Sequence, residues 1–167
     1  WEAKVIVTGD DTLYRLLSTL DREDFWEMFK VKAEFDYQID LTPESVADYC
    51  SFISGICSAE ELLHADRSGV ARIVEYGARL VADQTKLSSR FGPIQDVLIE
   101  GDYWARKDGR SVITEDHVKK ALEEKIYRVN LVEEKMRRLM ADGTIMVDLQ
   151  GEVTGQVNGL VVYDLGD

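Results

Sequence analysis

Few residues of this chain are placed to do chemistry, and the one that stands apart is Arg90. It lies just ahead of Gly92-Pro93, where a helix is expected to begin. A guanidinium at that point could reach outward and pair bidentately with a phosphate. Taken alone, such an arginine reads first as an ordinary surface cation. The remaining candidates point to no site. His64 and His117 are the only histidines, one in a connector and one in the first turn of a helix, and both read as surface residues. Cys50 and Cys57 lie two turns apart on one expected helix. Their Cα atoms would be about 10 Å apart, too far for a disulfide. They read as two small core-facing thiols in a reducing cytoplasm. No pair of ligands has zinc spacing. The sequence has no phosphate loop of the GxxxxGKS/T form, no GxSxG and no HExxH. Acidic runs such as Glu123-Glu124 and Glu133-Glu134 read as solvated helix faces. Of Tyr103 and Trp104, one is expected in the core and the other at its edge. By pattern alone the chain is a helical module without an active site.

Composition narrows the partners. The 167 residues make about one domain. A hydrophobic fraction of 45% and a charged fraction of 31% allow a globular core. The net charge of −12 repels phosphate backbones and anionic lipid, so neither nucleic acid nor membrane is an expected partner. No run approaches the roughly 20 apolar residues of a membrane span, and the start does not read as a secretory signal. The expected location is therefore cytoplasmic. The chain opens without Met in a strand-like run and stops just after another, with nothing to pair it. Both ends suggest a piece of something longer.

The elements that must position Arg90 follow from spacing. Residues 4–8 read as a buried strand, ended by Gly9-Asp10-Asp11, and Asp11 or Thr12 as the cap of a helix through Leu13, Leu16, Leu17 and Leu20. A short helix is expected over Glu23–Met28, then a strand in which Phe29, Val31, Ala33 and Phe35 share one side. Thr42-Pro43 starts a helix with Val46, Tyr49, Cys50, Ile53 and Cys57 on one face. After a connector over Ser58–Asp66, a helix from about Ser68 to Gln84 buries Val70, Ile73, Val74, Gly77, Leu80 and Val81. Gly77 costs about 1 kcal/mol of helix propensity. The expected return is close approach by a neighbouring backbone.

Phe91-Gly92-Pro93 opens the third helix, with Ile94, Val97, Leu98, Gly101, Trp104 and Ala105 inward, and Lys107-Asp108-Gly109-Arg110 ends it. Ser111-Val112-Ile113 is an extended link. Thr114 then caps a helix expected to run unbroken to Met140. Its apolar face carries Val118, Ala121, Leu122, Ile126, Val129, Val132, Met136, Leu139 and Met140, while Tyr127 and Leu131 point the other way. Five i,i+4 pairs support it: Glu115–Lys119, Asp116–Lys120, Glu124–Arg128, Glu133–Arg137 and Glu134–Arg138. A strand over 144–148 and a glycine-punctuated β segment over 151–163 follow. The chain thus divides into a β-containing remnant (1–37), a helical unit (38–125), a helical bridge (126–143) and a β tail (144–167). The fold class is mainly α, a helical bundle with short β segments at both ends.

The tail, Gly151-Glu152-Val153-Thr154-Gly155-Gln156-Val157-Asn158-Gly159-Leu160 and onward to Asp167, resembles the opening of the proteolytic domain of Lon-like bacterial ATP-dependent proteases. Its GQVNGL core is specific. Residues 29–36, 66–80 and Leu87-Ser88-Ser89-Arg90-Phe91-Gly92 with Ala105-Arg106-Lys107 resemble the same group, in the same order. The resemblance covers nearly the whole chain. It implies that 1–37 finish an AAA+ α/β core, 38–125 form its helical lid, 126–143 are the bridge, and 144–167 enter a serine–lysine protease domain. It implies ATP and Mg as cofactors of the parent, protein substrates and a homo-oligomeric ring. This segment by itself would neither hydrolyse ATP nor cut peptide. Arg90 matches the place of the second-sensor arginine, which touches the γ-phosphate and couples hydrolysis to lid rotation. Gly9-Asp10 lies where a polar first sensor, usually Asn, is found. Met28-Phe29-Lys30 occupies the neighbourhood of the trans-acting arginine, with Lys in its place. Two other readings remain open at this point: the lid of a remodelling ATPase without a protease, and a helical protein-binding adaptor.

Overall fold

Seven helices and one two-stranded sheet are formed by the described residues, 3–20, 22–148 and 150–159, of a computed structural model. The mainly α expectation holds. None of these helices is long and apolar enough to cross a membrane. The chain separates into two units, residues 1–36 and 37–167.

In the first unit, α1 (Asp11–Leu20) and α2 (Arg22–Met28) pack through an aromatic cluster. Tyr14, Phe25 and Trp26 meet edge to face at 5.7–6.1 Å, and Phe29 lies 5.2 Å from Phe25. The cap of α1 is Asp10, one residue earlier than expected: its carboxylate accepts from the Leu13 N–H at 2.8 Å. The runs 4–8 and 29–35 are irregular, not strands. An alternating sequence becomes a strand only with a ladder to join. Among the described residues neither run has one, and Ile6, Val31 and Phe35 stand exposed.

The second unit is built by its helix starts. Thr42 caps α3 (Pro43–Ala59) in a reciprocal box with Ser45, and Pro43 occupies the first turn. Asp66 caps α4 (Arg67–Arg79), accepting from the Ser68 and Gly69 N–H groups at 2.9 Å. These bonds hold its carboxyl below the usual aspartate range. α4 ends at Arg79, short of the expected Gln84. Ala82 turns left-handed (φ +52°), and Asp83 captures the Thr85 N–H and hydroxyl, redirecting the chain into a strand. That strand, β2 (Lys86–Ser88), pairs antiparallel with β1 (Gln38–Asp40), in the register Gln38↔Ser88, Ile39↔Leu87, Asp40↔Lys86. Spacing alone did not mark this sheet.

α5 (Gly92–Lys107) starts and stops where expected. Gly109, at φ +65°, lets the Arg110 N–H return to the Ala105 carbonyl at 2.8 Å and close the last turn. α6 (Glu115–Val129) is boxed by Thr114 and His117. The expected unbroken helix stops at Asn130 (φ −77°, ψ 9°), and α7 (Leu131–Ala141) begins anew. The Asn130 side chain makes no cap hydrogen bond at the break; beyond α6 no buried face rewards a continuous helix. Val129, Val132, Met136 and Met140 are all exposed. Of the five expected ion pairs, Glu133–Arg137 forms; Lys119 and Lys120 instead reach forward to Glu123 and Glu124, and Arg128 to Glu100. Residues 144–148 are not a strand, and the Ile145 N–H closes on the Leu139 carbonyl. Residues 150–159 are irregular, tied by Gln156 and Asn158 to Asp148. Leu149 and 160–167, with the rest of the expected β segment, lie outside the described residues.

The core joins Tyr49, Ile53 and Cys57 of α3, Ile73 of α4, Leu87 of β2, Ile94, Val97, Leu98 and Ala105 of α5, Ile113, and Val118 and Ala121 of α6. Trp104 packs on its edge and Tyr103 is exposed. A Cβ on Gly77 would lie 3.0–3.3 Å from the Tyr49 ring, so the close neighbour is a side chain, not the expected backbone. His117 is buried, against expectation, because its Nδ1 faces the Thr114 N–H at 3.0 Å and closes the α6 box.

The cysteines divide. Cys57 is buried, and burial pushes its thiol up; Cys50, expected beside it in the core, is exposed, because seven residues fall about 20° short of two helical turns and Cys50 lies past the edge of the stripe. An aromatic disulfide reagent at neutral pH is expected to modify one thiol in the native chain and a second only in denaturant. Two fast thiols in the native state would place Cys57 outside the core.

Candidate functional site

Arg90 sits on a short joint between β2 and α5 whose two ends are fastened. Ser88 is buried at one end, and the buried Tyr49 hydroxyl donates to its carbonyl. Desolvation holds that phenol above its ordinary range, so it stays a donor. The Ser88 hydroxyl oxygen accepts from the Arg90 N–H at 3.1 Å. At the other end Phe91 stacks on Phe52 at 4.0 Å and lies 5.7 Å from Tyr49. The backbone at Arg90 is therefore held from both sides, while its side chain is exposed. No side chain caps the start of α5 that follows it.

The guanidinium faces a groove of about 660 Å³ in the second unit. Its walls come from Tyr37, the end of α4 with Arg79 and Leu80, the start of α5 with Pro93, and α6 with Lys125 and Ile126. Lys125 donates to the Tyr76 hydroxyl at 3.2 Å, and Arg79 pairs with Glu75. Arg79, Arg90 and Lys125 face one lining carboxylate, Glu133. In a chain of net charge −12 this is a local reversal of sign, suited to an anion. The groove thus unites Arg90 with three residues that sequence reasoning did not single out: Tyr37, Arg79 and Lys125. Tyr37 immediately precedes β1, Arg79 ends α4 and Lys125 lies in α6; they share no spacing, so no local pattern pointed to them.

Asp10 and Lys30 belong to the first unit. Asp10 is engaged in capping α1, and Lys30 is exposed beside the aromatic cluster. Among the described residues no group of three or more His, Cys, Asp or Glu side chains could hold a metal ion.

Two family models match the chain. Residues 1–36 match the LonB-like AAA domain, and residues 64–128 match the AAA+ ATPase lid domain of archaeal LonB. The chain belongs to the LonB-like AAA+ proteins. The two matches together take in more than half of its residues, and the lid match contains Arg90 and Lys125. No curated protein matches the chain. The AAA+ ATPase matches point to nucleotide use, and the groove's lining lies partly within the lid match, with Tyr37, Val129, Asn130 and Glu133 outside it.

Proposed function

We propose that residues 38–125 are the helical lid of an ATP-dependent Lon-like serine protease and that Arg90 contacts the γ-phosphate of bound ATP. Residues 1–37 would then close the ATPase core, 126–143 would carry the chain onward, and 144–167 would open a Ser–Lys endopeptidase domain. The observation that carries this reading is the exposed Arg90 guanidinium on a backbone joint held at both ends, within the segment that matches a LonB lid. A fixed joint transmits force. When the guanidinium closes on a phosphate, the helix behind it must follow. The parent would use ATP with Mg, act on protein substrates in the cytoplasm and assemble as a homo-oligomeric ring.

The test is Arg90→Ala in the full-length protein. A hydrogen bond to a charged group contributes about 1.5–3 kcal/mol, so ATP-dependent degradation of casein is expected to fall about ten- to hundredfold. The melting temperature should not move, since Arg90 makes no core contact. Arg90→Lys should recover only part of the activity, because an ammonium lacks the bidentate fork. Unchanged turnover in Arg90→Ala would return the residue to the surface-charge reading.

A further inference from the structure

We infer that Tyr37 is a positioning residue for Arg90, holding the guanidinium over its ring face in the attitude from which it meets the phosphate. The inference rests on the reading of Arg90 just given. The Arg90 guanidinium carbon lies 5.3 Å from the centroid of the Tyr37 ring. Tyr37 is 54% exposed and is not part of the core cluster. The pair is also fixed in register: the Tyr37 carbonyl accepts from the Ser89 N–H at 2.9 Å, adding one rung to the β1–β2 ladder next to Gln38↔Ser88. The shortness of both strands therefore matters less than their ends, because the ladder stops where the aromatic and the cation come together.

An aromatic face suits this task better than a carboxylate. A carboxylate would occupy the guanidinium's in-plane N–H donors and set a negative charge beside an incoming phosphate. The ring's quadrupole attracts the cation from above the plane and leaves all five donors for the ligand. Among the described residues no carboxylate forms an ion pair with Arg90. Arg79 in the same groove is tied to Glu75, and Lys86 on the same ladder to Asp40. Of these three cations, the one on the ring has its donor edge open.

The experiment compares Tyr37→Leu, which keeps bulk without a ring, with Tyr37→Phe, which keeps the ring. Affinities for ATPγS and for ADP are measured by calorimetry on the full-length protein. An exposed cation–π contact predicts an ATPγS affinity lower by about two- to fivefold in Tyr37→Leu, with ADP affinity unchanged and Tyr37→Phe like the parent. In an Arg90→Ala background the Tyr37→Leu change should add nothing. Leu and Phe variants that behave alike, an equal loss for ADP, or a loss that persists without Arg90 would each overturn the inference. If Arg90→Ala alone leaves the ATPγS affinity intact, the phosphate reading of Arg90 fails first and this inference with it. A merely structural role for Tyr37 would move both nucleotides together.

Discussion

Replacing Ile113 by alanine is expected to remove about 2–5 kcal/mol of stability from the second unit, the range for truncating a fully buried isoleucine. Ile113 lies in the short link between α5 and α6 and has no exposure. Its main chain is held as firmly as its side chain. The N–H donates to the His64 carbonyl at 3.0 Å, and the carbonyl accepts from the Asp66 N–H at 2.9 Å, making a parallel bridge with Ala65. That bridge sets where α4 begins, because Asp66 is its cap. Two glycines are shaped around the same residue. A Cβ on Gly69 would come 2.6 Å from the Ile113 carbonyl oxygen, and one on Gly101 would come 3.1 Å from its Cγ2. One residue therefore sets the spacing of α4, α5 and α6. Ile113→Val, which deletes one methyl, should cost only about 0.5–1.5 kcal/mol. Urea denaturation followed by helical ellipticity measures both. A loss under about 0.5 kcal/mol for the alanine variant would mean that the bridge, not the side chain, holds the three helices.

The legible part of this fold was the part governed by local rules. Thr42-Pro43, Phe91-Gly92-Pro93, Gly109 and Thr114 each marked a helix end, because capping and φ preferences act within one turn. The strands failed in both directions. Residues 4–8 and 29–35 alternate correctly yet join no ladder, whereas Gln38–Asp40, with no alternation to speak of, pairs with Lys86–Ser88 across more than forty residues. A strand is defined by its partner, and spacing along one segment does not contain the partner. The break at Asn130 has a similar cause: the apolar repeat continues through α7, but a repeat makes one helix only where a neighbour rewards the continuous face. At the site, Arg90 was visible by its place ahead of a helix. Tyr37, Arg79 and Lys125 were not, since the groove that joins them exists only after β1, α4 and α6 have packed.

The second large effect is expected at Asp102, a carboxylate set in the inner face of α5 with only 8% exposure. Its Oδ1 accepts from the Leu63 N–H at 2.8 Å, and its Oδ2 accepts from Arg106 Nε at 2.7 Å. Arg106 in turn donates to the Glu61 carbonyl at 3.0 Å. The three groups clamp the turn from α3 to α4, where Glu61 is held left-handed at φ +55°. A non-glycine residue keeps that conformation only when its surroundings enforce it. Asp102→Ala leaves the Leu63 N–H without its acceptor and releases the arginine, so stability should fall by about 2–4 kcal/mol in urea denaturation. Asp102→Asn keeps an acceptor for Leu63 but turns an amide toward Arg106, and should recover about half of that loss. Equal losses for the two variants would show that the ion pair alone makes the clamp. The clamp also bears on the proposed mechanism. α5 begins beside Arg90, grips the α3–α4 turn at its middle through Asp102, and packs along α6. A close-packed body of this kind moves as a whole rather than bending. A pull on the Arg90 joint would then turn the entire lid. With the clamp cut, the same pull would shift α5 against α3, and Asp102→Asn should lose coupling between ATP hydrolysis and casein degradation while hydrolysis itself continues.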